Sequence, residues 1–348
     1  MKNKENRITI TADDGTQHLA QAPVIVSASR STDIPAFYCD WFFNRLEKGY
    51  SVWTNPFNGK DLYVSYARTR FIVFWSKNPR PLLRHLDKLK ELNINCYIQY
   101  TLNDYEEEGL EPNVPPLAER IDTFKWLVER LGFGSVVWRF DPLMLTDGMD
   151  INNLLGKIEK IGDELKGYTE KLVFSFVDIG VYKKVKNNLD RYGIHYRDWT
   201  EELMREFAAK LVALNKRDWN YELATCGEKG RYEGVEPNRC VDYNLMMKLA
   251  KNDRALMEYI NAEVMPYERN LFSGMEAPTN AAALSDGRYV KRDKGQRLFC
   301  GCMKSKDIGQ YNTCCHLCKY CYANANEETA LRNYENHKRN PDKDKIVI

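Results

Sequence analysis

The feature that most constrains this fold is an alternation of near-continuous apolar runs with amphipathic stretches. PVIVSAS (23–29), RFIVFWSKNP (70–79), NCYIQYTLND (95–104), SVVWRFDPLML (135–145), KLVFSFVDI (171–179) and YELATCGEK (221–229) read as strands. Between them, CDWFFNRLEKG (39–49), PLLRHLDKLKEL (81–92), VPPLAERIDTFKWLVERLG (114–132) and residues 150–165 and 199–213 read as helices. A strand apolar along its whole length is buried on both faces, and a strand–helix alternation signals a parallel sheet covered by helices. The expected class is therefore α/β. At least six such units favour a complete or partial (β/α) TIM-like barrel over an open doubly wound sheet. No G-x-G-x-x-G follows the first strand and no G-x4-G-K-[ST] occurs. The usual phosphate-cradling loops are thus absent from the sequence.

The strands share a second property, which is that they end in polar residues. These ends offer Arg30, Thr32 and Asp33; Lys77 and Asn78; Thr101 and Asn103; Arg139 and Asp141; Ser175 and Asp178; and Glu228. A barrel gathers its C-terminal strand ends on one face, where barrel enzymes keep their sites. Any one of these residues reads better as a cap or a loop polar group than as a site residue. The repetition from strand to strand makes the set more informative than its members.

With 348 residues and 43% hydrophobic content, the chain has enough apolar material for a large core. Its net charge of +2, from 51 basic and 49 acidic residues, gives no global reason to expect a nucleic-acid partner. The beginning, MKNKENRITITADDGTQ, lacks the apolar core of a signal peptide, and no run reaches the length of a membrane span. Ten cysteines without a secretion signal fit a reducing, cytoplasmic setting in which thiols stay available for metals.

Six of those cysteines crowd into FCGCMKSKDIGQYNTCCHLCKYCYANA (299–325). Cys314, Cys318 and Cys321 form C-x3-C-x2-C. Three thiolates at this spacing can hold three irons of a cubane and leave the fourth open. Zinc is the rival metal, since sulfur ligands suit either. Cys315 lies between these ligands and is expected to point away, with His316 packing or hydrogen-bonding nearby. Cys226, Cys240, Cys300 and Cys302 are four further thiols. Gathered, they would complete a second, fully ligated 4Fe-4S cluster; scattered, they would be small buried hydrophobes. Cys39 and Cys96 lie in apolar contexts and read as core.

The loop YNTCCHLCKYCYANA resembles that of radical S-adenosylmethionine enzymes, especially the spore photoproduct lyase-like branch. LEPNVPPLAERIDTFKWLVERLGFGSVVWRFDPLMLTD (110–147) and FWSKNP (74–79) are similar to a helix and strand ends of that branch. More broadly, residues 22–327 resemble an uncharacterised bacterial family with a C-terminal cysteine cluster. The radical-enzyme resemblance implies one 4Fe-4S cluster on Cys314, Cys318 and Cys321, with S-adenosyl-L-methionine on the open iron and a 5′-deoxyadenosyl radical as product. It also implies a reductant such as flavodoxin or ferredoxin. Arg30, Gln99, Arg139, Ser175 and Tyr322 are the cosubstrate-binding candidates. Arg139, Asp141, Asp33 and Lys77 are the catalytic ones. The substrate is open, a small molecule or nucleic acid, and no membrane partner is expected.

The order of elements departs from that branch, where the cysteine loop follows the first strand. Circular permutation reconciles the two, with KDIGQYN as the missing first strand and NEETALRNYENHKRN as its helix. That helix would pack beside the strand at 23–29. The expected organisation is a polar leader (1–22), the main barrel (23–229), an irregular extension with the second cysteine set (230–303), the cluster loop and completing helix (304–340), and a charged, fraying tail (341–348). Three rival functions stay open: a non-enzymatic iron–sulfur protein for electron transfer or redox sensing, a zinc-stabilised binding protein, and a metal-independent hydrolase using Asp33, Asp141 and Asp178.

Overall fold

A computed structural model describes residues 7–228, 230–265, 281–283, 289–291 and 300–348. Much of the stretch expected to be irregular lies outside the described residues, including FSGMEAPTN and part of GRYVKRDKGQR.

The chain begins with a hairpin, β1 (Arg7–Thr11) and β2 (Gln17–Gln21), followed by β3 (Ile25–Ala28). Helices α1 (Ile34–Phe37) and α2 (Cys39–Glu47) lead to a second hairpin, β4 (Tyr50–Thr54) and β5 (Asp61–Ser65). Strand β6 (Phe71–Ser76), a 3-10 turn at Arg80–His85 and α3 (Leu86–Glu91) come next. They are followed by β7 (Asn95–Thr101), α4 (Leu117–Leu131), β8 (Val136–Leu143), β9 (Leu145–Thr146), α5 (Ile151–Glu164) and β10 (Lys171–Phe176). Then come α6 (Lys183–Arg191), β11 (Tyr196–Arg197), α7 (Glu201–Asp218), β12 (Glu222–Thr225) and β13 (Glu236–Pro237). The chain continues through α8 (Tyr243–Leu249), α9 (Arg254–Glu263), β14 (Val264–Met265), β15 (Ala281–Ala283), β16 (Tyr289–Lys291), β17 (Lys306–Asp307) and α10 (Glu327–Arg339).

Eight strands form one parallel sheet in the order β13-β12-β10-β8-β7-β6-β3-β17. The six apolar runs are its six central strands. The order follows the sequence with one exception: β17 lies beside β3, pairing Lys306 with Val26 and Asp307 with Ser27. KDIGQYN thus supplies an edge strand next to the first apolar run. Among the described residues β17 and β13 are the two edges of the sheet, and no closed barrel is seen.

Because the strands add in one direction and crossovers are right-handed, the crossover helices fall on one face. Ile72, Phe74, Ile98, Trp138, Phe140, Leu172 and Phe174 point into that helical layer. The alternate positions Phe71, Val73 and Tyr97 point to the opposite face, where α8, α9 and the Cys300–Met303 segment cover them. The segment expected to be an irregular extension therefore supplies, in its described part, the second layer over the sheet.

Residues 7–21 join β4 and β5 in a four-stranded sheet, and the short ribbon that ITIT allowed within the polar leader is β1. Its alternating exposed and part-buried positions explain its polarity. The tail, expected to fray, is docked. Trp41 Nε1 donates to Lys343 O (2.7 Å), Val52 N donates to Asp344 O (2.7 Å), and Ile346 is 1% exposed. One apolar residue among the lysines and aspartates anchors it. Helix α10 contacts α1 and α2, the helices that follow β3, through Tyr334 and His337 against Phe37, Tyr38 and Trp41. Among the described residues, no helix is long and apolar enough to cross a membrane.

Candidate functional site

The loop after β17 is seated on the strand ends by local chemistry. Asp307 accepts from Arg30 N (2.8 Å) and Gly309 N (2.9 Å), tying the new edge to the turn after β3. A Cβ at Gly309 would overlap the Ser29 side chain and crowd Ser31, so only glycine allows this approach. Tyr38 then donates to Thr313 O (2.7 Å), and Asn324 Nδ2 to Cys314 O (2.8 Å).

The two ambiguous residues of the loop are both engaged elsewhere. Cys315 turns toward α10, where Glu335 and Lys338 are its charged neighbours. His316 Nε2 meets Asp33 Oδ2 at 2.8 Å and its Nδ1 meets Asn113 O at 3.2 Å. Cys314, Cys318 and Cys321 therefore stay as the loop's three uncommitted thiols. Burial pushes all three thiols above their ordinary pKa, and each lies within electrostatic reach of the others. A metal ion that bound these sulfurs would displace their protons to solvent. Ala323 N and Asn324 N both donate to Cys321 Sγ (3.3 Å each), as donors that favour its thiolate. Leu317, Cys318, Cys321, Asn188, Asn324 and Glu327 line a recess beside the loop.

Below the loop lies a buried polar group. Lys77 Nζ donates to Glu111 Oε1 (2.6 Å) and to Tyr320 OH (3.0 Å), and Tyr320 OH also bonds Glu111. Burial alone would raise the Glu111 carboxyl, but Lys77 and Arg120 outweigh it and hold it at about 2. Asn103 extends the group. Its Nδ2 donates to Glu111 (2.9 Å) and its Oδ1 accepts from Asp141 N (2.9 Å).

Asp141 leads to the second set of cysteines. It accepts from Ser175 Oγ and from Arg139 Nη2 (2.5 Å). Arg139 Nη1 donates to Gln99 Oε1 (3.1 Å) and to Cys240 Sγ (3.3 Å). Cys226 Sγ stands 3.2 Å from Cys240 Sγ, and Cys240 N donates to Cys302 Sγ (3.1 Å). Cys302 in turn hydrogen-bonds Cys300, so the four thiols run in the chain 226–240–302–300. Arg30, stacked 5.1 Å over Trp75, lies against Cys302, Cys240 and Cys300. Among the described residues, no three His, Cys, Asp or Glu side chains already close into a metal cage.

The structure thus sorts the expected site residues into two groups. Asp33 and Lys77 belong with the three-cysteine loop. Asp33, however, already accepts from Ala36 N (2.9 Å), Ser76 Oγ (2.7 Å) and Lys77 N (2.8 Å) besides His316, which makes it a buried brace. Gln99, Arg139, Asp141, Ser175 and Arg30 belong with the four-cysteine set. Tyr322, 45% exposed, bonds Arg30 O and lies between the two groups. The Asp178 carboxylate accepts from Val181 N (3.2 Å) as a cap and, among the described residues, joins neither Asp33 nor Asp141. Asn103 was among the polar strand ends named from the sequence, whereas Glu111, Tyr320 and Asn188 were not. The Glu-Pro of LEPN was the available signal for Glu111.

Residues 25–323 match a family profile described as a domain of unknown function, DUF1848. The chain belongs to this family. The matched span contains both cysteine sets and ends just after the loop. No curated protein and no solved structure matches the chain.

Proposed function

We propose that this DUF1848 protein is a radical S-adenosylmethionine enzyme. The observation that carries the reading is the loop's count of thiols. Its two alternative ligands, Cys315 and His316, are turned away or bonded elsewhere, leaving Cys314, Cys318 and Cys321. Three protein thiols suit a 4Fe-4S cluster that keeps one iron for a cosubstrate. The position of the loop, after a strand that pairs with β3 at the sheet edge, fits a circularly permuted partial barrel of that type.

The donor set fits the group: three sulfurs, two backbone N–H donors on Cys321, and the Lys77 cation near Cys318 and Cys321. Bound there, the cluster and S-adenosyl-L-methionine supply one-electron reductive cleavage and a 5′-deoxyadenosyl radical. The chain's own residues position and seal. Tyr320 and Lys77, both on Glu111, fix the loop against β6 from below. Asp33 fixes it through His316, and Tyr38 through Thr313. In the recess beside Cys318 and Cys321, Asn188 Nδ2 donates to Cys321 O (2.9 Å) and Asn324 Nδ2 to Cys314 O (2.8 Å), which braces the loop, while Asn324 Oδ1 is buried without a partner. The electron would come from a small reductant of the flavodoxin or ferredoxin kind.

The test is anaerobic reconstitution with iron and sulfide, then dithionite and S-adenosyl-L-methionine, with 5′-deoxyadenosine measured. Cleavage by the wild type that vanishes in Cys314→Ala, Cys318→Ala and Cys321→Ala is expected. A fully loaded protein that neither cleaves the cosubstrate nor changes its cluster spectrum on adding it would sink the reading.

A further inference from the structure

The four-cysteine set differs in kind from the loop. Its thiols come from the end of β12 (Cys226), the turn before α8 (Cys240) and the segment before β17 (Cys300, Cys302). The turn at Cys240 is held in place by Tyr97 OH (2.5 Å) and Gln99 Nε2 (3.0 Å), both donating to Cys240 O. Met303 N donates to Val241 O (3.0 Å), bringing the Cys300–Cys302 segment alongside. All four thiols lie in or against the apolar layer beneath the sheet. A network that holds chain segments so far apart in sequence by backbone bonds aims its thiols at one another by construction.

Two guanidiniums attend this set. Arg139 reaches Cys240 Sγ directly, and Arg30 Nη2 is buried with no hydrogen-bond partner. A buried guanidinium nitrogen left without an acceptor costs free energy, so it points to an anion yet to be supplied. Four thiolates around a divalent ion carry a net charge of about −2, which two arginines can offset.

The spacing of sulfurs indicates which metal class fits. Four sulfurs about 2.3 Å from one tetrahedral ion stand about 3.8 Å from each other. In a cubane each cysteine binds a different iron and the sulfurs stand farther apart. Cys226 Sγ and Cys240 Sγ are 3.2 Å apart, and Cys302 Sγ lies 3.1 Å from Cys240 N, with Cys300 beside it in the same segment. Cys314, Cys318 and Cys321 show no thiol–thiol hydrogen bond among the described residues.

We propose that Cys226, Cys240, Cys300 and Cys302 form a tetrathiolate site for a single tetrahedral metal ion of the zinc class, with Arg139 and Arg30 as its positioning cations. The site replaces the second cubane expected from the sequence. It reassigns both arginines from cosubstrate binding to metal support, and it stands independently of the radical-enzyme reading. Its chemical role is closure, binding the second layer to the strand ends.

The test uses the full chain purified without oxygen, with zinc, iron and acid-labile sulfide counted per chain. One zinc is expected in the wild type. It should be kept in the triple variant Cys314→Ala/Cys318→Ala/Cys321→Ala and lost in Cys240→Ser/Cys302→Ser. Cobalt(II) in its place should give the visible absorption of tetrahedral tetrathiolate cobalt. Where the double variant does not fold, Arg139→Gln keeps all four ligands and should weaken metal retention against a chelator about 10–100-fold. Iron and sulfide lost together from the double variant would overturn the proposal in favour of a cubane. A Cys226–Cys240 disulfide in the native protein, or zinc well below one per chain, would overturn it as well. Absence of cosubstrate cleavage with zinc present would count against the function above and leave this site standing.

Discussion

The two cysteine sets sit on one sheet and solve opposite problems. The loop draws three thiols from eight consecutive residues and keeps them apart, beside a recess. The other set draws four thiols from across 77 residues of sequence and brings them into contact beneath the sheet. The loop is held by the surrounding fold: Asp307, Tyr38, His316 and Tyr320 all anchor it to the strand ends. The dispersed set is held differently, by Tyr97 and Gln99 on Cys240 O and by Met303 N on Val241 O, bonds that join the second layer to the sheet.

Each part of this contrast can be broken. The largest expected effect is in the loop: any one of Cys314→Ala, Cys318→Ala or Cys321→Ala should reduce 5′-deoxyadenosine formation to background and lower bound iron. If one of them retained full cleavage, that residue would not be a ligand. Next is the anchor below the loop. Glu111→Gln leaves Lys77 and Arg120 buried without their counter-charge, and stability should fall by about 3–5 kcal/mol near neutral pH, measured by denaturant unfolding.

The acid side sharpens that prediction. The Glu111 carboxyl is held at about 2, below its ordinary 4.5, so its contribution is complete above about 4.5. It is lost as pH falls toward about 2 and amounts to something on the order of 3 kcal/mol. The gap between wild type and Glu111→Gln should therefore narrow over that window; a gap constant with pH would show that the carboxylate charge is not what stabilises. A smaller effect belongs to Gly309→Ala, whose Cβ must displace Ser29, at about 1–3 kcal/mol with weakened loop seating. Smallest is Cys315→Ser, which should leave iron content unchanged. A loss of iron there would promote Cys315 to a ligand and remove the open position.

Much of this arrangement was legible in the sequence because it rests on local patterns. Continuous apolar runs gave β3, β6, β7, β8, β10 and β12, since a strand covered on both faces has no polar side to spare. Asp33, Lys77, Arg139, Asp141 and Ser175 were visible as polar strand ends. Their division into two groups was not. It depends on side-chain alternation across the pleat and on Cys240 and Cys302 arriving from the other face, neither of which is encoded nearby. The β4–β5 hairpin was missed for a similar reason: YSVWT and DLYVS are half-buried ribbons whose pattern is diluted by polar residues. The tail was misread because composition averages Ile346 with its charged neighbours. Glu111 was passed over because an acidic residue amid a polar loop gives no sign that Lys77 and Tyr320 will enclose it.

The position of β17 also has a consequence during synthesis. The strand that borders β3 is made some 280 residues after it, so the ribosome releases the partner of Val26 and Ser27 only near the end of translation. Until then the nascent sheet carries an open, apolar edge of the kind that recruits other chains. The same late segment delivers six of the ten cysteines, so the thiol-rich loop and the protection of that edge arrive together. A ribosome stalled before residue 306 would leave the sticky intermediate exposed, an obvious substrate for chaperones and proteases.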